Sequence, residues 1–293
     1  MKCHDRAFAA AEVGTTVCVA TLYNHRMSYE VTPQSVKPAL PGMVIVCPDV
    51  EDVITAVAND MMSQAVSCVR AFGDFHLALS GGSTPFPLYR RLMLDPLYRE
   101  FPWRRTHLWI VDERCVPFDH DKSNYRQVKE IIVDHSGIPH EQVHPMMVEQ
   151  PGDACAEQYE KDLRHAFLYR EKGHDRLDFV ILGMGDDGHT ASLFPQSPAT
   201  LESLAPPPSA GAPPRWVLMN RGAKVTPPDR CTMTHTLLNA ARVLACMCCG
   251  EKKQPMIRRV SAQRDKPADL PILGIKPGAG ELRWYLDSAA CPV

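Results

Sequence analysis

Apolar residues recur along this chain in two alternating rhythms. Val44 to Cys47 is a short continuous apolar run, and Val53, Val57, Met61, Ala65 and Val69 then return every four residues. The first pattern predicts a strand, and the second a helix whose positive amino end is suited by Asp49, Glu51 and Asp52. The unit repeats. His76-Leu77-Ala78-Leu79 leads through Ser80-Gly81-Gly82-Ser83-Thr84-Pro85 to a helical pattern with Leu88, Leu92 and Met93. Leu108 to Val111 forms a third strand, followed by a polar loop from Asp112 and a helix carrying Val128, Ile131 and Ile132. Leu177 to Leu182 and Val243 to Cys248 read as further strands, the latter followed by Gly250 to Lys253 and a helix through Val260.

Strands alternating with helices predict an α/β fold: a mostly parallel sheet with helices on both faces, in a single domain over residues 41–293. Residues 1–40 show no sustained period and read as an N-terminal extension. Ala205 to Arg215 carries five prolines and reads as a surface loop, because strand-like sequence resumes at Trp216. In such sheets the loops leaving the carboxyl ends of the strands build the site. Every glycine-rich or unusually polar segment of this chain falls on that edge.

Composition narrows the function classes. Of 293 residues 45% are hydrophobic, enough for a sizeable core, and 32 Lys+Arg nearly cancel 34 Asp+Glu. No net field draws the whole molecule to nucleic acid or to an anionic membrane, so an anion must be held by a few placed groups. No apolar run approaches the roughly 18–20 residues that span a bilayer. Asp5, Arg6 and Glu12 interrupt the short alanine-rich start where a signal peptide needs an unbroken apolar segment. Eleven scattered cysteines, odd in number and mostly in apolar context, suit reduced thiols and a cytoplasmic location.

Three segments offer chemistry. Ser80 to Pro85 supplies two glycines for close backbone approach and two hydroxyls, Ser83 and Thr84, ahead of a helix. Lacking a Walker lysine and dinucleotide spacing, it suits a small phosphorylated metabolite, although an ordinary strand-to-helix turn has the same letters. In Gly183 to Pro195, His189 stands two residues from Asp187 at the mouth of a buried strand. The imidazole could act as a general base oriented by the carboxylate, or be purely structural. Asp112-Glu113-Arg114 leaves the third strand, and Arg114 could contact an anionic substrate or a developing oxyanion, or belong to a solvated charged loop. Lys253 and Arg230 add positive charge near the same edge.

Two metal-like patterns fail on context. His140-Glu141-Gln142-Val143-His144 matches the zinc-protease motif, but Pro139 and Pro145 leave too little chain for the helix that motif needs. Cys246 and Cys249 have C-x-x-C spacing inside an apolar strand, where alternate residues face opposite ways and no second pair exists.

Taken in order, Leu79 to Pro85, Asp112 to Pro117, Ser123-Asn124-Tyr125, Val143-His144-Pro145, Gly183 to Pro195 and Pro227 to Thr234 resemble the 6-phosphogluconolactonase family, from about Val44 to about Asp287. Thr106 to Pro117 and Phe194 to Pro198 are especially similar to the lactonase half of hexose-6-phosphate dehydrogenase. The resemblance implies a modified Rossmann-like domain that hydrolyses 6-phosphoglucono-1,5-lactone, a sugar-phosphate substrate, with no metal and no cofactor. It implies His189 as the base for water, Asp187 as its orienting neighbour and Arg114 as the group steadying substrate charge. Gly82, Ser83, Thr84, Lys253 and Arg230 are implied as holders of the 6-phosphate. A functional coupling to glucose-6-phosphate dehydrogenase, which makes the lactone, is implied as well. Three departures from the family pattern stand out: Lys252 where a glycine is usual, the thiol-rich Cys246-Met247-Cys248-Cys249 and the expanded proline loop near residue 210; Phe194, in turn, stands where the isomerases of the same fold carry a glutamate.

Overall fold

The computed structural model describes residues 37–292 apart from 207–208, 210 and 223. Most of the extension read at 1–40 therefore lies outside the described residues; within its last four, Leu40 is buried in the core. Ten strands follow: β1 Met43–Cys47, β2 Phe75–Leu79, β3 Thr106–Ile110, β4 Asp112–Arg114, β5 Val143–His144, β6 Phe179–Gly183, β7 Val217–Asn220, β8 Arg230–Met233, β9 Val243–Cys248 and β10 Glu281–Asp287. Seven form one sheet in the order β1-β10-β9-β6-β2-β3-β5. Every neighbouring pair in it is parallel.

The predicted periodicities become this sheet and its cover. Asp49 caps the helix Val50–Phe72 by accepting from Asp52 N, and Val53, Val57, Met61, Ala65 and Cys68 turn inward. Strands β2 and β9 are buried along their whole length, as a sheet covered on both faces requires. Alternation splits their side chains between two cores: Phe75, Leu77, Leu79 and Met247 on one face, Ala78, Cys246 and Cys248 on the other. The strand after the proline loop begins at Val217, one residue past the expected start. No helix among the described residues is long and apolar enough to cross a membrane.

One expectation is corrected. Asp112 to Arg114 is not a polar loop but the strand β4, which joins β8 and β7 in a second, antiparallel sheet. Three charged residues can form a strand here because Glu113, fully buried, accepts from the N–H groups of Arg114, Asn124 and Tyr125 and from Ser123 Oγ. Burial raises the affinity of that carboxyl for its proton, and the backbone donors oppose the rise.

Below the sheet's amino edge, Arg170 joins the strands that carry the site. Its Nε donates to Asp74 Oδ1 at 2.8 Å and its Nη2 to Asp178 Oδ2 at 2.7 Å, just before β2 and β6. Asp178 also accepts from His76 N at 2.8 Å. The two strands are thus clamped at their amino ends.

Beside this clamp His76 stacks on His107 and Trp109, and both of these stack on His144. Burial is the main cause that lowers the pKa of His107 to about 4 and of His144 to about 3. Both groups bind protons more readily in the unfolded chain, near pH 6.5. The stability they confer is complete above that pH and is lost as the pH falls through about 4 and then about 3. The urea midpoint is therefore expected to drop between pH 7 and pH 4, and to drop less in a His144→Phe variant. An equal drop in the variant would assign the acid sensitivity to other groups.

Candidate active site

The order of the sheet puts two loops side by side. Going outward from the centre, β2, β3 and β5 run one way and β6, β9, β10 and β1 the other. The winding reverses between β2 and β6, which pair through Leu77 with Phe179 and Ala78 with Val180. Crevices form at the carboxyl side of such a reversal. Ser80 Oγ ties the two strands there by donating to Ile181 O at 2.7 Å. The turn after β2 and the loop after β6 form the two walls of one cavity of about 240 Å³. Its lining includes Gly82, Ser83, Thr84, Arg114, His189 and Lys253.

His189 is held on three sides. Asp187 Oδ1 accepts from its backbone N at 3.0 Å and lies 2.6 Å from its Nδ1. A side chain at Gly185 would begin 2.1 Å from the imidazole, so only glycine lets the ring lie against the loop. Phe194 closes the remaining side, with ring centroids 4.7 Å apart. Partial burial works against charge on Asp187, but its hydrogen bonds to His189 outweigh that and hold its pKa below the ordinary carboxylate value. The ionised carboxylate takes the Nδ1 proton as a hydrogen bond, which leaves the lone pair on Nε2. Asp187 itself is not on the cavity wall; it acts on the ring.

Facing this loop, Gly82 takes a φ of +105°, a conformation that side chains disfavour. The turn runs directly into the helix Phe86–Leu94. Lys253 reaches in from the turn after β9, donating to Met184 O at 2.8 Å and to Asp186 Oδ1 at 2.6 Å. An ammonium has three donors, so one is left for a ligand. Lys252, where the family usually has glycine, sits in a single 3-10 turn, Glu251–Lys253, and Lys253 still enters the cavity.

The two arginines are register partners across β4 and β8. Arg114 lines the cavity and donates to Lys122 O at 2.7 Å. Arg230 is only 6% exposed, has a buried Nη1 without a hydrogen-bond partner, and is not on the cavity wall. Burial, then the neighbouring Arg114 charge, lowers its pKa. It is the register partner of Arg114, and the carboxylates of Asp112 and Glu113 offset part of the positive field it sets up at the site. Two further residues of the wall, Asp112 and Asn124, were not singled out in the sequence reading. The only signal for them is that both fall in the quoted segments.

Neither metal-like motif assembles. His140 lies in the 3-10 turn His140–Gln142 and His144 in β5, so they share no helix face. Among the described residues Asp74, His76 and His107 do gather closely enough to surround a cation, toward the amino ends of β2 and β3. There the indole N–H of Trp109 donates to His76 Nδ1 at 3.0 Å. The neutral ring then carries its proton on Nε2, the atom facing Asp74 at 3.4 Å, and has no lone pair to offer there.

A profile of the family described as glucosamine-6-phosphate isomerases/6-phosphogluconolactonase matches residues 48–284. The human GDH/6PGL endoplasmic bifunctional protein is 38% identical over 81% of the chain, which spans 28% of that protein's length. Human 6-phosphogluconolactonase is 34% identical over 85% of the chain and 93% of its own length. The crystal structure of 6-phosphogluconolactonase from Thermotoga maritima matches with a TM-score of 0.67 at 26% identity, covering 84% of this chain and 99% of that one.

Proposed function

The chain belongs to the glucosamine-6-phosphate isomerase/6-phosphogluconolactonase family, and we propose that within it this protein hydrolyses 6-phosphoglucono-1,5-lactone to 6-phosphogluconate with a water activated by His189. One observation carries the reading: a carboxylate-fixed imidazole and an anion-suited turn line the same small cavity.

The 6-phosphate is held by the backbone of Gly82, the hydroxyls of Ser83 and Thr84 and the spare donor of Lys253, with the Arg230 charge behind. Anchoring this end brings the lactone carbonyl to the base. His189 Nε2 takes a proton from water as the oxygen attacks C1, and the resulting imidazolium is steadied by Asp187. Arg114 faces the negative charge that develops on the carbonyl oxygen. The C1–O5 bond then breaks, the imidazolium returns its proton to O5, and the new carboxylic acid ionises. A strained lactone opens slowly unaided, so one base and good positioning suffice, and no step calls for a metal or cofactor.

Isomerase and deaminase chemistry on this fold calls for proton relay beyond the histidine. Phe194, apolar and packed on the His189 ring, supports the lactonase reading against it. The bifunctional relative's name pairs a dehydrogenase with a lactonase, and functional coupling to glucose-6-phosphate dehydrogenase fits a substrate that hydrolyses on its own. Among the described residues nine cysteines are free, seven of them buried, which is compatible with the cytoplasm.

The test is to generate the lactone fresh from glucose 6-phosphate with the dehydrogenase and follow acid release. A rate well above the spontaneous background is expected. Calorimetric binding of 6-phosphogluconate without such a rate would instead make the protein a binding module.

A further inference from the structure

An anion-binding cavity has little use for a carboxylate, yet this one contains one. Asp112 is the sole acidic residue on its wall. It is 8% exposed, and among the described residues no cation pairs with it, although Arg114 and Lys253 share the same cavity. Lys253 is committed to Asp186, and Arg114 to a backbone carbonyl. Such a charge beside an anionic substrate is unfavourable unless the ligand itself supplies hydrogen-bond donors.

The rest of Asp112 is fixed. Its carbonyl accepts from Asn124 Nδ2 at 2.7 Å, and its Oδ2 accepts from Ser192 Oγ at 2.6 Å. Ser192 is itself held, its N–H donating to Thr232 Oγ1 at 3.1 Å and its carbonyl accepting from Asn220 Nδ2 at 2.7 Å. Oδ1 alone has no partner among the described residues, and it is not among the fully buried unpartnered atoms. A phosphate or a lactone carbonyl can only accept; the donors of a sugar-phosphate lactone are its ring hydroxyls.

We infer that Asp112 determines substrate specificity by accepting a hydrogen bond from a ring hydroxyl of the sugar through Oδ1, with Ser192 as the group that aims it. The inference rests on the sugar-phosphate reading of the site but not on turnover. A carboxylate that demands a hydroxyl separates a polyol phosphate from other phosphorylated esters that the cradle and Lys253 would hold equally well.

Binding of 6-phosphogluconate and of its 2-deoxy, 3-deoxy and 4-deoxy counterparts tests this by calorimetry, with the intact chain and with Asp112→Asn. One deoxy ligand is expected to bind the unmodified protein roughly ten- to a hundredfold more weakly than the parent, as for a hydrogen bond to a charged group. In Asp112→Asn that gap should shrink to about threefold or less, because the amide keeps an acceptor but removes the charge that strengthens the hydrogen bond made only by the parent. Should Asp112→Asn fail to fold, Ser192→Ala, which loosens the carboxylate without touching β4, should narrow the same gap. A gap unchanged in the variants, or no gap with any deoxy ligand, overturns the role of Asp112. Binding without lactone hydrolysis would refute the lactonase and leave this comparison intact, whereas no binding of any of the four ligands refutes both.

Discussion

Replacing His189 with alanine should lower kcat by about 10² to 10⁴ and leave KM within a few-fold. The imidazole is the one group on the cavity wall with a free nitrogen lone pair and a carboxylate behind it. Its proton-accepting work is confined to the transition state, so its loss should appear in turnover and not in binding. Asp187→Asn sharpens the test. An amide N–H in place of the carboxylate would donate to Nδ1 and drive the ring proton to Nε2, the nitrogen that must accept from water. That variant should lose kcat on a similar scale while the imidazole is still present. Lys253→Ala, in contrast, should mainly raise KM. Steady-state rates with freshly made lactone measure all three, and an unaltered kcat in the His189 variant would remove it from the mechanism.

The largest stability effect is expected far from the cavity, at Arg170→Ala. The Arg170 side chain is 2% exposed and joins Asp74 to Asp178, which is completely buried. Truncation leaves Asp178 with the His76 N–H and, as its one remaining cation, Arg242, whose Nε is 3.3 Å away. Uncovering a buried charge in this way costs about 3–5 kcal/mol. For a domain of this size that corresponds to roughly 6–20 °C in Tm. Because the clamp fixes β2 against β6, remaining activity should fall more steeply with temperature than in the unmodified protein. Thermal unfolding followed by circular dichroism decides it, and a Tm within about 2 °C would show that Arg242 and the His76 N–H satisfy the carboxylate.

The sequence made legible what is local. A cap and a four-residue apolar period define the helix Val50–Phe72, and apolar runs define β1, β2, β3, β6 and β9. The cradle and the His189 loop were readable because glycine and hydroxyl residues concentrate where backbone must approach a ligand. The resemblance added the roles. What stayed hidden depends on partners distant in the chain. Asp112 to Arg114 has no strand pattern of its own and is a strand only because β8, more than a hundred residues later, pairs with it. Arg170 looks like any surface arginine until Asp74 and Asp178 close around it. The specific use of Asp112 was obscured by the adjacent charges, which suggested a solvated loop, and Arg230 could be read as a direct phosphate ligand because one cannot see from the letters that it is buried and off the cavity wall.

The seating of β1 has a consequence for how the protein is made. This strand lies at the sheet's edge and pairs only with β10, and Ser288 Oγ bonds Cys47 O across 241 residues of chain. On a ribosome adding about 5–20 residues per second, β1 waits roughly 10 to 50 s for its neighbour to be translated. For that interval the nascent chain carries an unpaired β1, and for about the last 2 to 8 s, between the synthesis of β9 and that of β10, an unzipped β9 border as well, natural places for a chaperone to bind and for one unfinished copy to stick to another.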